Sequence, residues 1–279
     1  PIGQPYETTT NARAINNSGY IAGYSKFQAS NGREIASIWD SNTNTTIHPI
    51  PNVDARTSQF VDINDNNLAL GYTNDTNNSW QTFVYEVNGE VTYIENIEAK
   101  PTAINNAGQA VGFAEFGANE ITSAFIWDQA NGIQEIGPDF SWAYAINDHG
   151  TVTGFRYHIA TNDYSNFIWS EARGFQDIGY YEGHTTTWAT VIDDNGFVYG
   201  TAIDSNSGHR TVFRWDEHNG YIDLSESLLA EDTGWTLLTA LDINEHGQLA
   251  AQASYNGETH AILLNPVPLP SSLILMLSA

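Results

Sequence analysis

Residues 101–137, PTAINNAGQAVGFAEFGANEITSAFIWDQANGIQEIG, decide how the whole chain folds. Pro101 to Asn105 reads as a short strand, and Asn106-Ala107-Gly108 as a tight turn. Gln109-Ala110-Val111-Gly112-Phe113 is a second strand, followed by a polar loop. Ala124-Phe125-Ile126-Trp127 is a third, and a turn through Gln129-Ala130-Asn131-Gly132 leads to Ile133-Gln134-Glu135-Ile136 before Gly137. Short β-branched and aromatic runs separated by Asn, Asp and Gly are the pattern of consecutive hairpins.

The phrase at Ile104-Asn105 occurs six times, centred on Ile15, Ile63, Ile104, Ile146, Ile192 and Ile243, with spacings of 48, 41, 42, 46 and 51 residues. A period in the forties marks a repeat array. A four-stranded sheet repeated radially at that period is a propeller blade, an arrangement that leaves only short, protected edges. The expected fold is therefore all-β: a six-bladed β-propeller of four-stranded antiparallel blades over residues 1–265. A Pro-rich hinge and an apolar tail follow over 266–279. Third strands end at Trp39, Tyr85, Trp127, Trp169 and Trp215, and fourth strands at Ile50, Ile94, Ile136, Ile178 and Leu224. The third-strand tryptophans are expected to wedge between blades, where a large flat side chain fills the gap between twisted sheets. Ser225 to Leu229 alone carries a helical period, with Asp223 or Ser225 as its cap.

The pattern Ala-Ile-Asn-x-x-Gly, a small apolar strand with Gly, then Ala-Phe-Ile-Trp-Asp and a closing Ile-Gly resembles the HAF repeats of bacterial extracellular proteins. The resemblance covers nearly the whole chain and implies export and a propeller fold without implying one activity. Repeats two and six depart most: Tyr85 and Leu264 stand where the others have tryptophan, and neither repeat closes with Gly. The tail Val267-Pro268-Leu269-Pro270 with its apolar run resembles the start of a PEP-CTERM export and sorting segment, without the downstream apolar stretch and basic end. That resemblance makes the tail a candidate remnant of a membrane-sorting segment.

Composition narrows function. Thirty-three acidic residues face nine basic ones, for a net charge of −24, and Lys26 and Lys100 are the two lysines. Nucleic-acid binding needs a basic face, so it is discarded as a partner class. An acidic, Asn-, Thr- and Ser-rich surface suits an extracellular or cell-surface location. Cysteine is absent, which removes thiolate chemistry.

Counting strands exposes one gap. Ile2-Gly3 aligns with Ile136-Gly137, at the end of a fourth strand, while the sixth repeat stops after its third strand at Leu264. Closure within the chain, a truncated end, and a strand donated by another copy of the protein remain open. An unpaired outer strand accepts an added strand, and an apolar tail after a proline hinge is a donor. Ile2, Leu273, Ile274, Leu275, Met276 and Leu277 are the candidate closure or assembly residues.

Chemistry is sparse. Asp62, Asn64 and Asn66, and again Asp242 and Asn244, place oxygens at alternate positions as calcium loops do, but without the later bidentate carboxylate. Calcium is thus a possible cofactor; the alternative is that these residues form turns, since Asn and Asp bond their own backbone there. Asp62 and Asp242 could also face a central channel as paired carboxylates. No catalytic constellation, nucleophile elbow or phosphate loop is present. Arg156, Tyr157 and His158 form the one compact set that a polysaccharide lyase or hydrolase could use.

In an up-and-down blade the first-to-second and third-to-fourth turns share one end. Here those are short and repetitive. Loops 51–59, 73–80, 114–123, 156–165, 179–188 and 225–239 vary and gather at the other end, where recognition is expected because variable loops on a rigid scaffold carry function. Trp80, Trp142, Trp188 and Trp235 fall in or beside these loops, with Tyr181 and His184 nearby, and are the candidate ligand-binding residues; the alternative is blade-edge packing. The expectation is a secreted, non-catalytic propeller of the cell surface or matrix that assembles by strand addition. Binding of extracellular polysaccharide is the alternative.

Overall fold

A computed structural model describes residues 7–27, 33–49, 55–75, 79–87, 89–94, 98–117, 121–225 and 234–266. The chain is a six-bladed β-propeller of antiparallel blades. It divides into two compact units, Pro1–Tyr180 with four blades and Tyr181–Ala279 with two.

In the first unit, blade one comprises β1 (Glu7–Ile15), β2 (Tyr20–Phe27), β3 (Glu34–Asp40) and β4 (Thr45–Ile47). Blade two comprises β5 (Ala55–Ile63), β6 (Leu68–Asp75), β7 (Trp80–Glu86) and β8 (Val91–Tyr93). Blade three is β9 (Ala99–Ile104), β10 (Ala110–Phe116), β11 (Ile121–Asp128) and β12 (Gly132–Glu135). Blade four is β13 (Ser141–Ile146), β14 (Val152–His158), β15 (Asp163–Ser170) and β16 (Gly174–Gly179). The second unit holds blade five, with β17 (Thr186–Ile192), β18 (Val198–Ile203), β19 (Arg210–Asp216) and β20 (Gly220–Asp223). It also holds blade six, with β21 (Trp235–Ile243), β22 (Leu249–Tyr255) and β23 (Glu258–Leu264). Strands pair in chain order in every sheet, and blade six has three strands among the described residues where the others have four. The tail candidates Leu273 to Leu277, and Ile2, lie outside the described residues, as does the expected helical turn beyond Ser225.

The repeated second-strand glycine explains the tight sheets. Gly71, Gly112, Gly154 and Gly200 lie opposite Phe83, Phe125, Phe167 and Phe213 of the third strands, all four of which are fully buried. A Cβ on Gly154 would stand 2.0 Å from the Trp142 carbonyl oxygen, and one on Gly200 2.7 Å from the Phe213 ring. Only glycine admits both the first-strand backbone and the ring, which is a known use of Gly inside a strand.

The core lies between blades. Ala22, Ala36 and Ile38 pack with Phe60, Ile63, Phe83 and Tyr85 of the next blade. Trp127 shares a cluster with Leu70 and Val84 of the preceding blade, so this tryptophan is indeed an inter-blade wedge. Val111, Ala124 and Ile126 meet Ala143, Val152 and Phe167, and in the second unit Val191, Tyr199 and Val212 meet Leu237, Leu249 and Ala253.

The Ile-Asn phrase has two jobs. Its asparagine side-chain oxygen closes its own turn, accepting from the amides of Tyr20, Leu68, Gln109 and Thr151 in blades one to four. The side-chain amide then reaches the next blade: Asn16 to the Asn64 carbonyl at 2.9 Å, Asn64 to Asn105 at 2.7 Å, and Asn105 to Asn147 at 2.9 Å. A second row outside it links Asn17 to Asp65, Asp65 to Asn106, and Asn106 to Asp148. Buried backbone carbonyls are costly to leave unpaired, so this ladder offsets a loss at each of these three seams. Blade five carries Asp193 in the asparagine slot. Its carboxylate closes the turn through the Asn195 and Phe197 amides, but when ionised it only accepts.

Candidate functional site

The turn-bearing strand ends use their polar groups internally. Asp62 accepts from its neighbour's amide at Ile63 and, through its other oxygen, from Ile104 of blade three, both at 2.8 Å. Asn64 belongs to the ladder, and Asn66 donates to the Asn106 carbonyl. In blade six Asp242 accepts from Ile243, and Asn244 closes its turn through the His246 and Gln248 amides. Among the described residues no three His, Asp or Glu side chains gather as a metal-holding group. At these positions the structure uses oxygens as clasps and turn closers.

The aspartates after the third-strand tryptophans do similar work. Asp128 accepts from the Ala130 and Asn131 amides, and the Asn131 side chain holds its carboxyl below the usual range. Asp216 accepts from the His218 and Asn219 amides and pairs with Arg214 at 3.2 Å. Burial pushes its carboxyl up, but the Asn219 side chain, the two backbone amides and Arg214 outweigh that and leave it lowered.

The opposite strand ends carry the aromatics. Trp80 opens β7 and Trp235 opens β21, while Trp142 and Trp188 are the second residue of β13 and third of β17. Trp188 is 38% exposed, and the other three are half-buried. Each of those three packs on another ring, as edge-sited aromatics do. Trp142 lies 5.3 Å from Phe155, and Trp235 stacks on Tyr255 at 4.8 Å with His260 edge-on at 5.4 Å. Tyr181 and His184 meet edge to face at 4.9 Å, and His184 Nε2 lies 3.0 Å from the Thr211 hydroxyl. The structure therefore brings Tyr181 and His184 together within blade five, while the tryptophans stay in separate blades.

Around Trp80 a cleft of about 140 Å³ opens to solvent, lined by Glu98, Lys100, Phe113, Ala114, Glu115 and Thr122. Tyr72 backs the indole at 5.0 Å. The Lys100 ammonium sits 4.9 Å from the indole centroid, a cation–π contact. Register places Lys100 opposite Phe113 and Glu115 opposite Thr122, so these four side chains share a face of the blade-three sheet. Trp80 closes the cleft from blade two. Sequence reasoning found Trp80 and missed the rest. The available signal was Lys100, one of two lysines, at the start of a first strand in the blade after Trp80.

Arg156, Tyr157 and His158 divide between the two faces of β14. Strand alternation puts Arg156 and His158 on one face of β14, while Tyr157 packs with Tyr164 at 5.0 Å and Phe140 at 6.4 Å. Phe140 holds a positive φ of 60° and is pinned by backbone bonds from its amide to Thr122 and from Tyr157 to its carbonyl. His158 Nε2 lies 2.6 Å from the Ser165 hydroxyl, which donates to Asp177 at 2.7 Å. A serine nucleophile must be exposed and give its proton to the histidine. Ser165 is 5% exposed and gives its proton to the carboxylate.

Residues 4–136, just under half of the chain, match a family model described as "Protein of unknown function (DUF3466)". No curated protein matches. Among solved structures, the chain is similar to the β-propeller domain of the Trilobed protease from Pyrococcus furiosus, described as revealing an open velcro topology. The TM-score is 0.64 at 12% identity over 94% of this chain and 84% of that one. The acylaminoacyl peptidase of Pyrococcus horikoshii gives 0.58 at 14% identity over 93% of this chain and 44% of that one. A puromycin-hydrolyzing peptidase of Mycobacterium tuberculosis gives 0.60 at 8% over 95% and 46%. The chain thus spans less than half of either peptidase. At these identities the likeness is one of fold.

Proposed function

We propose that this chain is a non-catalytic propeller of the cell exterior that binds polysaccharide at the loop-bearing ends of its strands. One observation carries the reading: the four tryptophans outside the repeat, Trp80, Trp142, Trp188 and Trp235, all lie within the first three residues of a strand that follows an irregular loop, and all keep partial exposure. Aromatic faces on a rigid sheet stack against the C–H faces of sugar rings with little ordering cost. Non-catalysis is supported by the proton direction at Ser165 and by the split of Arg156 and His158 from Tyr157. The acidic composition and the resemblance to HAF repeats support the external location. Affinity electrophoresis of the full chain in gels containing a panel of polysaccharides tests the reading. Retardation by at least one polysaccharide, weakened in Trp188→Ala or Trp235→Ala, is expected; no retardation on any gel would refute it.

Blade six supports a second reading, assembly with copies of the same chain. β23 is the outermost strand of its sheet among the described residues, whereas the other blades continue into a fourth. The turns that make that fourth strand place Asn44, Gly132, Gly174 and Gly220 at positive φ. After β23 the equivalent sequence position is Leu269, flanked by Pro268 and Pro270, which lacks that turn chemistry. A strand from a second copy, with the Leu273 to Leu277 run as donor, would pair with β23, the outermost strand among the described residues. Electron microscopy and size-exclusion chromatography test it. Oligomers that disappear when 273–279 are deleted are expected, and monomers in both forms would exclude it.

A further inference from the structure

We infer that the Trp80 cleft is a subsite for one uncharged sugar residue of a neutral glycan; this rests on the polysaccharide-binding reading and gives it a place and a ligand class. Three features of the cleft carry it. The first is size: about 140 Å³ is well below the roughly 300 Å³ at which drug-sized pockets begin, and suits a single ring.

The second is the set of groups on its walls. Trp80 and Phe113 offer apolar surface, Lys100 offers three donors, Glu98 and Glu115 offer acceptors only, and Thr122 offers a hydroxyl that does both. A polyol ring is the ligand that uses all of them. Its hydroxyl protons go to the carboxylates, its oxygens accept from the ammonium, and its C–H face lies on the aromatic surface. Tyr72 behind the indole and Lys100 on it hold the ring in place before a ligand arrives, which lowers the ordering cost of binding.

The third is charge. The cleft's charged side chains are two carboxylates and one ammonium, within a chain of net charge −24. A polyanionic glycan is repelled by the field of the whole protein. An amino sugar is drawn by the same field, but inside the cleft it meets Lys100 where its own cation would seek the indole, and like charges at that distance disfavour it there. A neutral ring incurs neither cost, and its binding should barely respond to salt.

The test is affinity electrophoresis of the full chain and of Trp80→Ala, Glu115→Gln and Trp235→Ala. The gels carry galactomannan, glucomannan, alginate or chitosan, at about 0.05 M and about 0.5 M salt. Circular dichroism checks the fold, and the exposed Glu115 keeps the test decisive if Trp80→Ala unfolds. A neutral glycan is expected to retard the wild-type protein equally at both salts, with about tenfold weaker retardation in Trp80→Ala and in Glu115→Gln. Retardation by alginate or chitosan that Trp80→Ala and Glu115→Gln weaken more than they weaken retardation by the neutral glycans would overturn the inference. So would retardation that Trp80→Ala and Glu115→Gln leave unchanged; if that retardation were lost in Trp235→Ala, the broader binding reading would survive. No retardation by any of the four overturns both.

Discussion

The side-chain amide of Asn64 donates to the backbone carbonyl of Asn105, 41 residues on and one blade over, at 2.7 Å. Its side-chain oxygen meanwhile accepts from the Leu68 amide and closes its own turn. One buried side chain thus shapes a turn and ties two blades, and a residue with a donor or an acceptor alone could do only one of the two tasks.

Replacing that residue separates the two tasks. Asn64→Asp keeps the acceptor, loses the donor and buries a carboxylate facing a carbonyl; it is expected to cost about 1–3 kcal/mol. Asn64→Ala loses both and is expected to cost at least as much. Urea denaturation of the full chain reads the difference.

The glycines opposite buried phenylalanines should be far less replaceable than those in turns. Gly154→Ala drives a Cβ to within 2.0 Å of the Trp142 carbonyl oxygen, so a loss of about 3 kcal/mol or failure to fold is expected. Gly174→Ala meets no atom within 4 Å and strains only a φ of 69°, for about 1–2 kcal/mol. The order of the two melting temperatures checks this, and the reverse order would contradict it.

Acid should unfold the protein through its turn aspartates. Asp128 and Asp216 are both lowered in the folded chain, so the unfolded chain binds their protons more readily. Stability from these groups is present above the unfolded carboxylate value of about 3.9 and lost as pH falls through the lower folded values. Urea midpoints are expected to hold level from about pH 7 to about pH 5 and to fall below about pH 4. Asp128→Asn with Asp216→Asn should flatten that fall.

Chelation should leave stability unchanged. Both Asp62 oxygens already accept backbone amides, from Ile63 and Ile104. An ion bound only by the folded chain would raise its melting temperature by mass action. The expected result is the same melting curve with added calcium and with EDTA, and a clear upward shift with calcium would restore the calcium-loop reading of Asp62 or Asp242.

The blade plan was legible because the repeat repeats its punctuation. Ile-Asn, the second-strand glycine and Trp-Asp recur at fixed offsets, and each has a local job in a turn or under a ring. The inter-blade ladder was not legible, because an asparagine's turn preference says nothing about a partner 41 or 48 residues away. For the same reason Trp80 could be found but not its cleft. Lys100, Glu98 and Glu115 reach it only once blades two and three pack together. Nor was the split of Arg156 and His158 from Tyr157 read from the sequence, because adjacency along a strand is alternation across it.

Hydrogen–deuterium exchange of the full chain with and without a bound neutral glycan tests most directly where recognition occurs. Binding at the loop-bearing ends predicts new protection in 79–80, 98–100, 113–117 and 121–123, with none in the turns at Asn16–Gly19 or Asn147–Gly150. Protection concentrated in those turns, with the Trp80 region unchanged, would contradict it.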